Sequence, residues 1–487
     1  MRRIGLGAAA LSCAALLSAC GGGGLGGFSG MTSVSVSVLA SGIPAGTQVI
    51  VQGGSQTMAI SANGTTAFPQ PLSDFDTISV VTPPAGGSIC QFLNGDTAGG
   101  SIAVAAISGT TVDLECSVYP AFNPTLPQLG PSNGGSPNVF SSPVVTPVFF
   151  NNVSASSQSQ ETSFLSNLVQ SGLWPVLSQY GVGTPTVRSP VVLTTGAPSS
   201  FTTADAANLV TADAATWDGG TLLPQSFFMI YVPNGTNIGV SNAGAYHSAT
   251  TINGTLVGYA VIPVSGTNDE SAPQHELMEG VADPDGTSGY STFPGAIAWA
   301  AQIGQFGSPS PGTEIGDMCE NYATTYLGAF GDPLNGYVVQ PIWSNTVAAI
   351  PANPCVWNTT STAQIAGAIP TLPSTLTDSN GANPVQGVIV AAGSSVTIPV
   401  KVFSQNVSSG VLSLSADLTG YFGTGTATLT GWGFSFDRQY ALNGDTVNLT
   451  ITAPASYAAG LYTFSVTAVS ALGSFSWPGG ISSSTTY

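Results

Sequence analysis

The sequence predicts a multidomain chain in which an α+β core is flanked by an N-terminal and a C-terminal β-sandwich of immunoglobulin-like type. Three observations predict it. Residues 33–118 and 385–487 alternate apolar and polar positions with period two, the pattern of half-buried strands. Residues 143–358 instead mix short apolar runs with stretches of helical spacing. Charged residues make up 6% of the chain against about a quarter in typical domains, yet 43% hydrophobic content with regular alternation indicates folded β-structure rather than disorder.

The chain opens with Arg2 and Arg3, an apolar run Ile4–Leu17, and Leu17-Ser18-Ala19-Cys20. A charged start, a short apolar stretch and small residues at the cut predict a signal peptide over 1–19. Its end resembles a bacterial lipoprotein signal, which implies that Cys20 is lipidated and that the protein is exported and membrane-anchored, at the outer membrane or cell surface. The alternative is an ordinary secretory signal with an incidental cysteine. Residues 20–32, dominated by glycine, read as a flexible tether. Export leaves Cys90, Cys116, Cys319 and Cys355 for two disulfides, with three pairings open; the nearest-neighbour pairing keeps each bridge inside one domain and is preferred. Loss of Arg2 and Arg3 takes the net charge from −18 to about −20, which excludes nucleic acid as a partner.

Within 33–118, Val34, Val36 and Val38 share one face and Val49 and Val51 another, with turns at Gly53-Gly54, Asn63-Gly64 and Asn94-Gly95. This segment reads as a small sandwich that resembles a disulfide-closed repeat of bacterial surface proteins. Residues 119–142, rich in Pro, Gly, Ser and Asn, read as a linker. In 143–358, Val144–Phe150 is a strand candidate, and Glu161–Tyr180 has helical spacing until Pro175. Thr203–Trp217 is a helix capped by Thr202 or Thr203, and Phe227–Val232 and Leu256–Val264 are central strands. Residues 359–384 read as a second linker. In 385–487 the alternation Val396, Ile398, Val400 and Val447, Leu449, Ile451 predicts the closing sandwich.

The core's chemistry is concentrated in Ser271–Pro284, SAPQHELMEGVADP. On a helix, His275, Glu276, Glu279 and Asp283 share one arc, and Leu277, Met278 and Val281 occupy the opposite one. Ser271 with Gln274 has capping-box spacing, Pro273 suits a first turn and Pro284 a stop. Ten of the 23 acids lie between Asp269 and Asp332, and both histidines, His247 and His275, lie in the same region.

The run from His275 to Pro284, TEIGDMCE over 313–320, VQPIWSN over 339–345, Cys355, PVVTPVFF over 143–150 and Tyr246-His247-Ser248 together resemble the phosphate-induced protein 1 (EXORDIUM-like) family. The resemblance spans 143–358. It implies an extracellular or cell-surface protein and brings no settled activity.

The His275-Glu276-x-x-Glu279 spacing is one histidine short of the His-Glu-x-x-His zinc helix and suggests a zincin-like core. On this reading His275, Glu279 and His247 bind zinc, with Asp283 as a further ligand. Glu276 is the base that deprotonates metal-activated water, and Glu314 or Asp317 completes the shell or orients a histidine from behind. The expected activity is that of a metallopeptidase-like hydrolase acting on peptide. The rival reading is a non-enzymatic surface protein that binds cell-wall polysaccharide or a partner surface, its acidic helix structural or calcium-binding through Asp283, Asp285, Glu314, Asp317 and Glu320. Glu276 with Glu314, beside Tyr290, Trp299, Tyr322, Tyr326 and Trp343, is the one carboxylate pair suited to glycoside chemistry. No nucleophile elbow, phosphate loop or dinucleotide fingerprint is present.

Overall fold

The computed structural model describes residues 32–487 except 95–96, 123, 125, 132–134, 241–242, 293–297, 300–313, 351, 361–363, 382, 407–409 and 428. The expected signal peptide, Cys20 and nearly all of the tether lie outside the described residues.

Strands in 37–118 form two sheets around one apolar core of Val38, Val49, Val51, Ile78, Phe92 and Leu114. One sheet runs Ser101–Ala103, Thr77–Thr82, Val49–Gly53, Gln56–Ile60, and the other Gly64–Ala67, Ser37–Ser41, Thr111–Val118, Ser88–Asn94, Thr97–Gly99. Cys90 and Cys116 sit opposite each other on antiparallel neighbours and are bonded. The closing sandwich pairs a four-stranded sheet (Ala366–Pro370, Ser395–Ser404, Thr446–Thr452, Gly433–Phe436) with a six-stranded one. Ala366–Pro370 and Ser374–Leu376, read from sequence as linker, are strands of this sandwich. The other expected linker is packed as well. Leu126, Leu129 and Phe140 are buried in the middle region, and the Phe140 amide donates to Val281 O at 2.9 Å.

Between the sandwiches lies a sheet whose three inner strands are parallel: β1 (Val144–Phe149), β2 (Ser226–Val232) and an inner partner introduced below. Two helices intervene between β1 and β2, α1 (Ala155–Leu168) and α2 (Thr203–Trp217). All seven residues of β2 are buried, as expected for a strand covered on both faces. After it come β3 (Tyr246–Ile252), antiparallel at the sheet edge, and β4 (Thr255–Pro263), which pairs with β2 in parallel and with β3 in antiparallel register. Helix α3 (Ser271–Ala282) follows β4 and packs on β2, β3 and β4.

The expectation of an α+β, zincin-like core is corrected. The protein is β-rich, with strand over 40% and helix over 15% of its residues, spread across several sheets. The reason is local. Helical periodicity sustains only three α-helices of more than one turn among the described residues, and between Asp283 and residue 358 the described strands are only two or three residues long. The helical spacing read over Glu161–Tyr180 also resolves differently. Ser154 caps α1 by accepting from the Ser157 amide at 3.1 Å, α1 ends at Leu168, and Trp174–Tyr180 is a 3₁₀ helix.

Candidate metal centre

Helix α3 forms where its sequence predicts, for partly different reasons. Ser271 makes no capping box: its hydroxyl donates to Asp269 Oδ1 at 2.7 Å. Gln274 turns inward instead, its Oε1 accepting from the Gln340 amide at 3.0 Å. Leu277, Met278 and Val281 are fully buried against the sheet. The opposite face, which carries His275 and the acids, is covered too. Glu276, Glu279 and Asp283 are all buried, beneath a loop that brings in Glu314 and Asp317.

Glu279 is the centre of this cluster. Its Oε1 accepts from the main-chain amides of Gly316 at 2.9 Å and Asp317 at 2.8 Å. Its Oε2 lies 2.9 Å from His275 Nε2 and 3.8 Å from His247 Nδ1. His247 comes from edge strand β3, opposite Ala260 of β4, which sets it over the middle of α3. Glu276 Oε2 is 3.1 Å from His247 Nδ1, Glu314 Oε2 is 3.4 Å from His247 Nε2, and Asp317 Oδ1 is 3.6 Å from His275 Nε2. Only 8% of the His247 side chain and 14% of the His275 side chain reach solvent.

Gly316 permits this approach. A Cβ there would stand 2.7 Å from Glu279 Oε1 and 2.9 Å from His275 Nδ1, so only glycine lets the loop backbone close on the helix. The disulfide Cys319–Cys355 then ties the turn that carries Asp317 to the strand Cys355–Val356.

Each imidazole is oriented by an acceptor on its outer nitrogen. His247 Nε2 lies 3.1 Å from the Asp283 carbonyl, a group that only accepts, so in the neutral ring Nδ1 faces the carboxylates as the bare nitrogen. Gln340 does the same for His275. Its Nε2 donates to Gly316 O at 2.8 Å, which points Oε1 at His275 Nδ1, 3.2 Å away, and leaves His275 Nε2 facing Glu279.

The electrostatics are one-sided. Burial alone would lower both imidazoles and raise every carboxyl. For His275 burial is outweighed by the Glu279 charge, which lifts it well above its ordinary value, and for His247 by the hydrogen bond and charge of Glu276. Burial likewise opposes the drop at Glu279, yet the charge of His275 holds it at about 2. Glu314 is pushed well up by burial and then by the charges of Glu279 and Asp317. No lysine or arginine answers these acids. Among the described residues the three basic side chains are elsewhere: Arg188 beside Gly219, Lys401 over the Phe122 ring, and Arg438 paired with Asp445.

The placement of the sequence-derived residues is therefore mixed. His275, Glu279, His247 and Glu276 converge. Asp283 converges by its main chain only; its carboxylate turns away and accepts from the Ser288 and Gly289 amides at 3.1 and 2.7 Å. Asp317 and Glu314, read as supporting residues, stand beside the imidazoles themselves. Asp285 closes its own turn on Thr287 and Ser288, and Glu320 is exposed, so neither joins a calcium-type oxygen shell. Tyr290, Trp299, Tyr326 and Trp343 pack on other aromatics (Tyr180, Trp477, Trp357), which accounts for them as core.

No family model and no curated protein matches the chain. Among solved structures it is similar to a chimeric titin Z1Z2 functionalized with a KLER exogenous peptide from decorin, at 19% identity over 26% of this chain and 98% of that one. The TM-score of 0.14 is too low to assign a fold or an activity.

Proposed function

We propose that this chain is a lipid-anchored cell-surface protein whose middle region binds a divalent cation, zinc in the first instance, and uses it for hydrolysis, with peptide as the substrate class. One observation carries the reading: a single buried oxygen, Glu279 Oε2, lies 2.9 Å from His275 Nε2 and 3.8 Å from His247 Nδ1. Ligands on bonds of about 2 Å stand roughly 3.3 Å apart in a tetrahedral shell, and these separations bracket that value. The donor set fits as well. Two imidazoles with carboxylates suit zinc, whereas calcium takes oxygen alone.

His275, Glu279 and Asp317 would hold the ion, Asp317 standing in place of the Asp283 carboxylate, with His247 beside Glu276 on the other side of the Glu279 oxygen. A bound zinc supplies Lewis acidity and brings the pKa of water to about 7. Glu276, whose Oε2 stands 3.1 Å from His247 Nδ1, would serve as the general base. Without an ion the two imidazoles, both raised by the neighbouring carboxylates, offset part of the charge of the buried acids, and a divalent cation would take over that role.

The anchoring part of the proposal rests on the charged, apolar and Cys20-terminated leader, and the likeness of 143–358 to the phosphate-induced protein 1 family is consistent with an exported protein. The two end sandwiches serve as immunoglobulin-like display modules. A second reading has one observation in its favour: the cluster is buried, Glu279 to within 2% of full cover. In that reading the cation is structural, and the protein binds a cell-wall glycan or a partner surface without turnover.

Zinc content of protein purified without chelator, read with peptide hydrolysis in Glu276→Gln, separates the two. The enzymatic reading expects bound zinc in both forms and hydrolysis only in the parent. Fewer than about 0.1 equivalents of zinc in the parent, or equal hydrolysis by Glu276→Gln, removes it.

A further inference from the structure

The donors around Glu279 separate into two trios. His275, Glu279 and Asp317 place one ligand atom each within 4.8 Å of one another, and so do His247, Glu276 and Glu279. Glu279 is the one residue in both. Its Oε1 is taken by the Gly316 and Asp317 amides, so Oε2 is the oxygen left to face both imidazoles. We propose that the site holds two divalent cations, one in each trio, bridged by Glu279 Oε2.

The inference rests on the metal-binding reading given above and goes further in its stoichiometry, with Glu276 a ligand of the second ion rather than the base. Geometry favours it first. Two bonds of about 2 Å from one shared oxygen set two ions no more than about 4 Å apart, the spacing of two-metal hydrolases. Each trio also carries its own imidazole, and each imidazole has its outer nitrogen held by an acceptor outside the trio, Gln340 Oε1 for His275 and the Asp283 carbonyl for His247. A single ion held in one trio would leave the oriented nitrogen of the other trio without a metal.

Charge points the same way. Glu276, Glu279, Glu314 and Asp317 are four buried carboxylates served by no lysine or arginine among the described residues. One divalent ion offsets two of those charges, and two ions offset four. Glu314, 3.4 Å from His247 Nε2, lies just outside the second trio and closes it on the side away from Glu276.

The test is stoichiometry, with manganese(II) and zinc(II) each added alone to the full chain. Two equivalents are expected in the parent, and the manganese form should give the electron paramagnetic resonance signal of an exchange-coupled pair. His275→Ala and His247→Ala should each keep one equivalent and give an uncoupled signal, and Glu279→Gln should lose both. Asp317→Asn and Glu276→Gln provide the same contrast if a histidine variant fails to fold. One equivalent in the parent that either histidine variant abolishes would overturn the two-ion site while leaving a single-ion site standing. No bound manganese or zinc in the parent would overturn both.

Discussion

Gln340 shows how much of the site depends on a residue with no ionisable group. It is buried, bonded through its main chain to Gln274 and through its side chain to Gly316 O and His275 Nδ1. Nothing in its own chemistry marks it in a sequence, and it lies 65 residues from the histidine it orients. His275 and Glu279 were legible because helical spacing puts them on one arc, and His247 because it is the only other histidine. Glu314 and Asp317 were legible as nearby acids, though not as neighbours of the imidazoles, since that depends on Gly316 admitting the loop. Asp283 was misjudged because helical phase holds only to Ala282, where the backbone leaves the helix and swings the carboxylate away. Gln340→Met keeps the volume and removes the acceptor. It should weaken zinc binding about 10–100-fold with little change in unfolding midpoint; unchanged affinity by competition with a chromophoric chelator would show that Gln340 does not orient His275.

At the scale of elements, α1 meets the N-terminus of α3 through two buried acids. Glu161 of α1 faces Glu270, with the Tyr231 hydroxyl beside Glu161 and the Gln160 amide donating to Glu270 Oε1 at 2.7 Å. Asp269 adds a further negative charge from the loop that leads into α3. Burial, then the Glu270 charge, pushes Glu161 up to about 9 from 4.5. Its folded-state value is raised, so the folded form binds the extra proton. The stability linked to it is complete below about 4.5 and is lost as pH rises toward 9. Urea unfolding between pH 5 and about 9 should therefore show stability falling with pH in the parent and a flatter profile in Glu161→Gln. Parallel profiles would place the titration elsewhere. The sequence offered no sign of this pair, because α1 was read as beginning at Glu161, whereas Ser154 starts it about two turns earlier and Glu161 lies on its buried face.

For the whole molecule, periodicity was a good guide to strands and a poor one to connections. The Val, Ile and Leu alternations at both ends correspond to strands with buried alternate residues, such as Ser395–Ser404 and Thr446–Thr452. Segments rich in Pro and Gly were read as linkers, yet Leu126, Leu129 and Phe140 are buried and 366–370 and 374–376 pair into the last sandwich, because irregular backbone can be buried once its polar groups find partners. Asn443 is one such partner. Its Oδ1 accepts from the Ser404 amide at 2.7 Å and the Ala121 amide at 3.3 Å, and its Nδ2 donates to Val118 O at 2.7 Å, joining the first sandwich, the connecting segment and the last sandwich. Each buried partner left unpaired costs about 1–3 kcal/mol. Asn443→Ala should thus speed proteolytic cleavage within 119–142 at native conditions, while an unchanged cleavage rate would mean that the junction is held by its aromatic contacts, Phe122 on Phe403, alone.

All of these scales converge on one oxygen. Calorimetric titration of zinc into the parent chain and into Glu279→Gln tests it most directly. The account predicts saturable binding by the parent and an affinity at least about a hundredfold weaker in the variant, since the substitution removes the charge shared by both imidazoles while keeping the shape of the side chain. Equal zinc affinity in the two proteins would contradict it.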